Sequence, residues 1–310
     1  MVRVFVVGFF LGFLAVGGAA FAQSAADVDN ARTLYIEGEY ESALAILLPA
    51  AKAGSAVAQN VVGVAHEDGA GVARDPKAAI TWYEKAADQG LGKAMYNLAH
   101  LYRQGAVDDA GKVVVEVDPA KARALFEQAA EAKYGPAYAN LAAMYLSGEG
   151  GPQREDAVFG LYQAGDAAGD AHATDSLGTA YRLGELVTQD LPRAVQFYKK
   201  AAEAGLAQGM NNYARMLELG SGTAVDYDDA RVWYESAMLG GDALAGYNLA
   251  TMITDGHVPD LTPVDAGARC VWAMLRADAG QAFVRDDCEK LLTDLGAETR
   301  AEAEFLADGL

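Results

Sequence analysis

From about residue 56 to residue 256 the apolar positions follow a helical period, and the same arrangement returns several times. Ala58, Ala94, Ala137, Ala173, Gly209 and Ala245 hold one column. Four residues on stand Val62, Leu98, Leu141, Leu177, Tyr213 and Leu249, and four further on His66, Tyr102, Tyr145, Tyr181, Leu217 and Ile253. Steps of four place the three columns on one face of an α-helix. The small first member lets a neighbouring helix come close, and the large members fill the space beside it. Each of these helices runs into a glycine, at Gly69, Gly105, Gly148, Gly184, Gly220 and Gly256. Glycine is the residue that enters the left-handed C′ conformation without a Cβ penalty. A short loop follows, and then an aspartate, Asp75, Asp118, Asp190 or Asp226, opens a second helix. Aspartate caps a helix by accepting from an otherwise unpaired backbone N–H, and Pro76 and Pro119 follow at N1, where no N–H is needed. Arg154 and Thr262 take the aspartate's place in two copies, where a shifted or weaker cap is expected.

The second helix carries the clearest signature. WYEKAADQG, residues 82–90, returns as LFEQAAEAK, LYQAGDAAG, FYKKAAEAG and WYESAMLGG, with ILLPAAKAG as a weaker early copy. The copies end at residues 54, 90, 133, 169, 205 and 241, a step of 36 broken once by a step of 43. A pair of short helices cannot bury its own apolar face, so a fixed period of this length predicts stacked helical hairpins. The predicted fold is therefore an all-α solenoid, although the length alone fits two ordinary domains. The extra seven residues fall in 106–117, AVDDAGKVVVEV, where the loop between the two helices is lengthened. Such a segment pairs as a small hairpin, engages a partner, or is simply a tolerated insertion.

The ends differ from the middle. Residues 1–22 have a short basic start, an apolar run from Val4 to Val16 and the small-residue motif Ala20–Phe21–Ala22, the pattern of a secretory signal peptide cut before Gln23. In a bacterium the product is expected in the periplasm; a secreted eukaryotic product is not excluded. Residues 23–54 form a shorter opening unit whose LYIEGEYESAL is nearer to an ordinary tetratricopeptide start, residues 55–256 form the repeat array, and residues 257–310 hold a degenerate repeat and capping helices. Cys270 and Cys288 fall on neighbouring helices of this last segment, and in an oxidising compartment that placement points to a structural disulfide.

The repeats resemble the Sel1-like repeat family, a relative of the tetratricopeptide repeats with the pattern A-x3-L-G-x2-Y-x2-G-x-G-V-x2-D-x2-K-A-x2-W-Y-x-K-A-A-x2-G. Residues 56–90, AVAQNVVGVAHEDGAGVARDPKAAITWYEKAADQG, follow it nearly throughout. The resemblance implies a right-handed αα superhelix that binds or scaffolds other proteins, in some members as a regulator of an envelope sensor. Some cysteine-rich relatives are described as β-lactamases, which keeps a β-lactam hydrolase as the alternative. Serine enzymes of that chemistry use S-x-x-K, and Ser147, Ser176, Ser221 and Ser236 have no lysine three residues on.

Charge narrows the partners. The formal charge of −19, which becomes −20 when Arg3 leaves with the leader, repels nucleic acid and anionic lipid. His66, His100, His172 and His257 share no column and have no Cys or His at metal spacing, so neither metal nor cofactor is expected. His66 is expected at the edge of the core, and His100 and His172 toward solvent or the groove. What remains is a surface for a protein or an extended peptide. One polar stripe runs beside the apolar face through Lys93, Asn97, His100 and Gln104, then Asn140 and Ser147, then His172, Ser176 and Thr179, then Gln208, Asn212 and Arg215, then Asn248, Thr251 and Asp255. Asparagine offers a donor and an acceptor to a peptide backbone. It equally serves to bond one repeat to the next, and the sequence leaves both roles open.

Overall fold

The structure, a computed structural model, describes residues 14–307 and 309–310. Most of the expected leader, residues 1–22, lies outside the described residues. Among the described residues the chain is a succession of α-helices with one two-stranded hairpin. The helices come in antiparallel pairs: α1 (Leu14–Ile36) with α2 (Tyr40–Lys52), α3 (Ala56–Asp68) with α4 (Pro76–Ala87), and α5 (Gly92–Gln104) with α6 (Pro119–Glu131). Then follow α7 (Pro136–Ser147) and α8 (Glu155–Ala167), α9 (Ala171–Leu183) and α10 (Leu191–Glu203), and α11 (Ala207–Leu219) and α12 (Tyr227–Leu239). The last helices are α13 (Ala243–Thr254), α14 (Pro263–Arg276), α15 (Ala282–Leu295) and α16 (Ala297–Ala307). The packing divides into two compact units. One runs to Ala137 and takes back Gly148–Pro152; the other holds Tyr138–Ser147 and everything from Gln153.

The hairpins whose second helix opens on an aspartate cap are closed in the same way. The backbone N–H of the capping residue donates to the carbonyl of the aromatic column: Asp75 to His66 at 2.7 Å, Asp118 to Tyr102 at 2.7 Å, Asp190 to Tyr181 at 2.9 Å and Asp226 to Leu217 at 3.1 Å. The four aspartate side chains accept from the first turn of the helix they open. Thr262, expected to cap weakly, instead forms a full capping box with Asp265. Arg154 does not cap with its side chain; its guanidinium donates to the Tyr145 hydroxyl at 2.8 Å. The helix-ending glycines Gly69, Gly148, Gly184 and Gly220 are left-handed. Gly105 has a positive φ but an extended ψ of 177°, because it leads into the insertion. There β1 (Ala106–Val107) pairs antiparallel with β2 (Val113–Val115). Asp108 closes the turn by accepting from Ala110 and Lys112 N–H, and Arg74 fastens the hairpin to the preceding repeat through the Val107 carbonyl at 2.7 Å. The Asp118–Tyr102 closing bond spans the whole insertion, so the added residues are looped out and leave the helix pair unchanged.

The core is carried by the aromatic residues of the second helices. Tyr83, Phe126, Tyr198 and Tyr234 are fully buried, and they seat against the small columns of the first helices. At Gly63 and Gly178 a Cβ would stand 2.6 Å from the rings of Tyr83 and Tyr198, respectively. A second glycine in the loops has a different task. Gly71, Gly150 and Gly222 have positive φ and press onto the start of the preceding second helix, at Tyr40, Pro119 and Leu191. At the carboxyl end α16 covers α14, with Gly267 against Ala303. The disulfide expected there is not formed in the structure. Cys270 and Cys288 are both buried free thiols, and the neighbouring Cys288 together with burial pushes the Cys270 thiol up.

Gly222→Ala should therefore cost at least about 2 kcal/mol in urea unfolding, from left-handed strain together with overpacking against Leu191. Gly241→Ala, also at positive φ but with nothing within 4 Å of a Cβ, should cost only about 1 kcal/mol. Equal losses would mean that the close approach at Leu191 carries no energy.

Candidate partner-binding surface

The polar stripe of the first helices is built from two columns. The asparagine column donates to the residue one position earlier in the preceding repeat. Asn97 Nδ2 donates to Asn60 Oδ1 at 3.0 Å, Asn212 Nδ2 to Asp175 Oδ1 at 2.8 Å and Asn248 Nδ2 to Asn211 Oδ1 at 2.8 Å. The acceptors Asn60, Asp175 and Asn211 are all buried. Gln208 adds a bond to the other Asp175 oxygen at 3.0 Å, and Gln89 donates to Gln59 at 2.7 Å. A buried polar atom without a partner costs more than a bond gains, so these contacts hold α5 in register on α3, α11 on α9 and α13 on α11. The acceptor column was not singled out from the sequence. Its signal was there: a polar residue directly before the column position, Asn60 before Val61, Asp175 before Ser176 and Asn211 before Asn212.

The burial of Asp175 has an electrostatic consequence. Desolvation pushes its carboxyl up to about 6, against the hydrogen bond from Asn212 and the charge of His172, while Asp242 adds to the rise. A second buried carboxylate is held by a tyrosine. Glu218 accepts from Tyr234 Oη at 2.6 Å and from Arg215 at 2.9 Å. Glu67 accepts from Tyr83 Oη at 2.6 Å, and burial raises it in spite of that bond. In the repeat between, Tyr198 Oη meets Thr179 and Arg182, both at 3.0 Å.

Two hollows open along the stripe in the second unit. The first, about 480 Å³, is lined by Arg182, Gln189, Asn212, Arg215, Leu219 and Asn248, among others. The second, about 460 Å³, shares Arg215, Leu219 and Asn248 with it and adds Tyr227, Thr251, Asp255 and His257. The structure thus brings five residues of the predicted stripe together: Asn212, Arg215, Asn248, Thr251 and Asp255. The others are elsewhere. Lys93, His172 and Gln208 are exposed, and Asn140 is half-buried on α7. Ser176 Oγ donates to the His172 carbonyl at 2.8 Å. Gln104 lines a separate hollow of about 380 Å³ beside the β1–β2 hairpin. His100, expected toward solvent or the groove, is instead packed edge-on against Phe126 at 5.1 Å and Tyr96 at 4.5 Å. Its neighbours in the aromatic cluster take the ring inward, and burial lowers its affinity for a proton. Asp255 of the predicted stripe lies at one end of the paired hollows, and Arg182, at the other end, lay outside the predicted set.

Among the described residues no group of His, Cys, Asp and Glu is placed to hold a metal ion, and no helix is long and apolar enough to cross a membrane. Comparison with known proteins bears on the whole array. A family model described as Sel1 repeat matches residues 56–91, 92–134, 135–162, 171–206 and 207–242. No curated protein matches the chain by sequence. Among solved structures the chain is similar to a Sel1 repeat protein from Oxalobacter formigenes, at 28% identity over 73% of this chain and 87% of that one, with a TM-score of 0.62. It is also similar to c5321, a protective antigen present in uropathogenic Escherichia coli strains that displays an SLR fold. Identity there is 25% over 93% of this chain, with a TM-score of 0.66, and the match spans 61% of the antigen's length.

The ladder yields two expectations. A carboxyl raised in the folded state binds protons that the unfolded chain, at about 3.9, does not. Its stabilisation is present below that value and is lost as pH rises through about 6. Asp175→Asn, which reproduces the Asn211–Asn248 arrangement, should therefore stabilise the protein at pH 8 by on the order of 2 kcal/mol and flatten the decline of Tm between pH 5 and 7. Asn212→Ala strips a donor from Asp175 and should cost about 1–3 kcal/mol in urea unfolding, more at pH 8 than at pH 5. An unchanged pH profile in the first variant would remove Asp175 as the titrating group.

Proposed function

Because the chain belongs to the Sel1 repeat family, we propose that it is a non-enzymatic interaction module that seats an extended segment of a partner protein along the hollows of α9, α11 and α13. Sel1 repeat proteins generally are protein-interaction modules, and their fold is typically a non-enzymatic scaffold. The observation that carries the proposal is the continuity of the two hollows. They share a wall, they lie on the stripe where the first helices face outward, and their floor offers apolar area at Leu219 and Val225, both more than half exposed. Exposed apolar side chains inside a polar rim are the composition of a protein-binding patch. The leader pattern of residues 1–22 supports a place in the bacterial periplasm, where such a module regulates or scaffolds an envelope complex.

A photo-crosslinking amino acid at Leu219 or Thr251 should capture a discrete partner in intact cells, while the same group at the exposed second-helix positions Gln163 and Lys199 should not. Capture of the same species with equal yield at all four positions would reject the groove. A partner found only outside the periplasm would reject the location and leave the groove standing.

A further inference from the structure

The two hollows carry opposite charge, and the residues responsible are not consumed by the fold. In the first, Arg182 is exposed, and its Nε donates to Tyr198 Oη at 3.0 Å, which steadies the guanidinium at the wall. Among the described residues no carboxylate pairs with it. In a chain with 43 acidic residues against 24 basic ones, Arg182 gives its hollow the sign opposite to that of the chain. In the second hollow, Asp255 closes α13, is exposed, and among the described residues has no cation beside it. Next to it Tyr227 and His257 stack face to face, 4.1 Å apart and 7° from parallel. An aromatic stack beside a carboxylate is a favourable seat for a guanidinium or ammonium group. The wall between the hollows is electrically closed. Arg215 is held by both Glu218 oxygens at 2.9 Å, and Tyr234 completes the carboxylate.

We infer that this groove sets the direction and register of its peptide by charge, with an acidic side chain on Arg182 and a basic side chain on Asp255. The inference rests on the groove proposed above. The position two repeats on from Arg182 is Thr254, and Asp255 is the next residue, so the two lie within about 1.5 Å of the same level along their helices. First helices packed roughly 10 Å apart separate the two by about 20 Å, which an extended strand covers in about six residues. The partner segment is thus extended, with an acid and a base about six residues apart in one fixed order. The excess negative charge of the chain draws in the basic end.

The test uses the full chain and labelled synthetic peptides of one neutral frame, carrying a Glu and an Arg two to ten residues apart in either order, read by fluorescence anisotropy. One order with a separation near six should bind best. Reversing the order, or replacing either charge by Gln, should weaken binding about three- to fivefold, the worth of a partly exposed ion pair. Arg182→Gln should abolish the preference for Glu alone, and Asp255→Asn the preference for Arg alone. The exchange Arg182→Asp with Asp255→Arg should invert the preferred order, with Tm measured to show that the fold is kept. Affinity that follows net positive charge regardless of order, or an exchange variant with the original order, would overturn the inference. If Leu219→Arg leaves all peptide binding unchanged, the groove itself falls; binding that is lost in Leu219→Arg but blind to order removes only the charge register.

Discussion

One repeat is held on the next by the requirement that a buried amide or carboxylate find its partner. Apolar packing alone is tolerant of sliding, because alanine against alanine or leucine against leucine has many nearly equivalent offsets. A hydrogen bond between Asn212 and Asp175, or between Asn248 and Asn211, has one. Each unmade bond exposes a desolvated polar group to an apolar neighbourhood, a cost comparable with a sizeable part of a domain's stability. The ladder therefore converts a generic stacking tendency into a fixed register, and the hollows exist because that register keeps their walls aligned. The same arrangement explains why the asparagines that look most available for a ligand are largely spent on the fold, while Arg182 and Asp255 at the margins keep their charges.

Much of the architecture was legible because each helix pair solves the same packing problem with the same residue types. Alanine columns, glycine stops, aspartate caps and aromatic pairs recur in step, and Asp75, Asp118, Asp190 and Asp226 cap as their positions imply. Gly105 shows where periodicity stops being sufficient. It sits in the glycine column, yet the hairpin that follows imposes a different ψ. Thr262 makes the opposite point, since a capping box needs only threonine and an acid three residues on, and Asp265 supplies it.

The candidate surface was legible in part, and the reason is physical. A stripe on a helical wheel says which residues share an azimuth; it does not say which of them point into the neighbouring repeat. Asn212 and Asn248 have the right azimuth and turn toward the previous helix. His100 has the right azimuth and is drawn into an aromatic cluster by Phe126 and Tyr96. Asp255 was reached by the periodic count, but His257 lies past the end of α13, where that count stops, and Tyr227 comes from α12. Such a constellation depends on how successive repeats meet, which is a property of the stack and not of one period.

The closing bond between Asp118 and Tyr102 carries a consequence for how this chain can change. Because the helix pair is clasped at its base, the tip of the hairpin, residues 109–113, stands exposed outside the closing bond, while Val115 stays buried. Seven residues have already been accommodated there without a displaced helix. The loop is in effect a mounting point: a place where a lineage, or an engineer, gains a new recognition element or fuses a reporter while the neighbouring repeats keep their architecture.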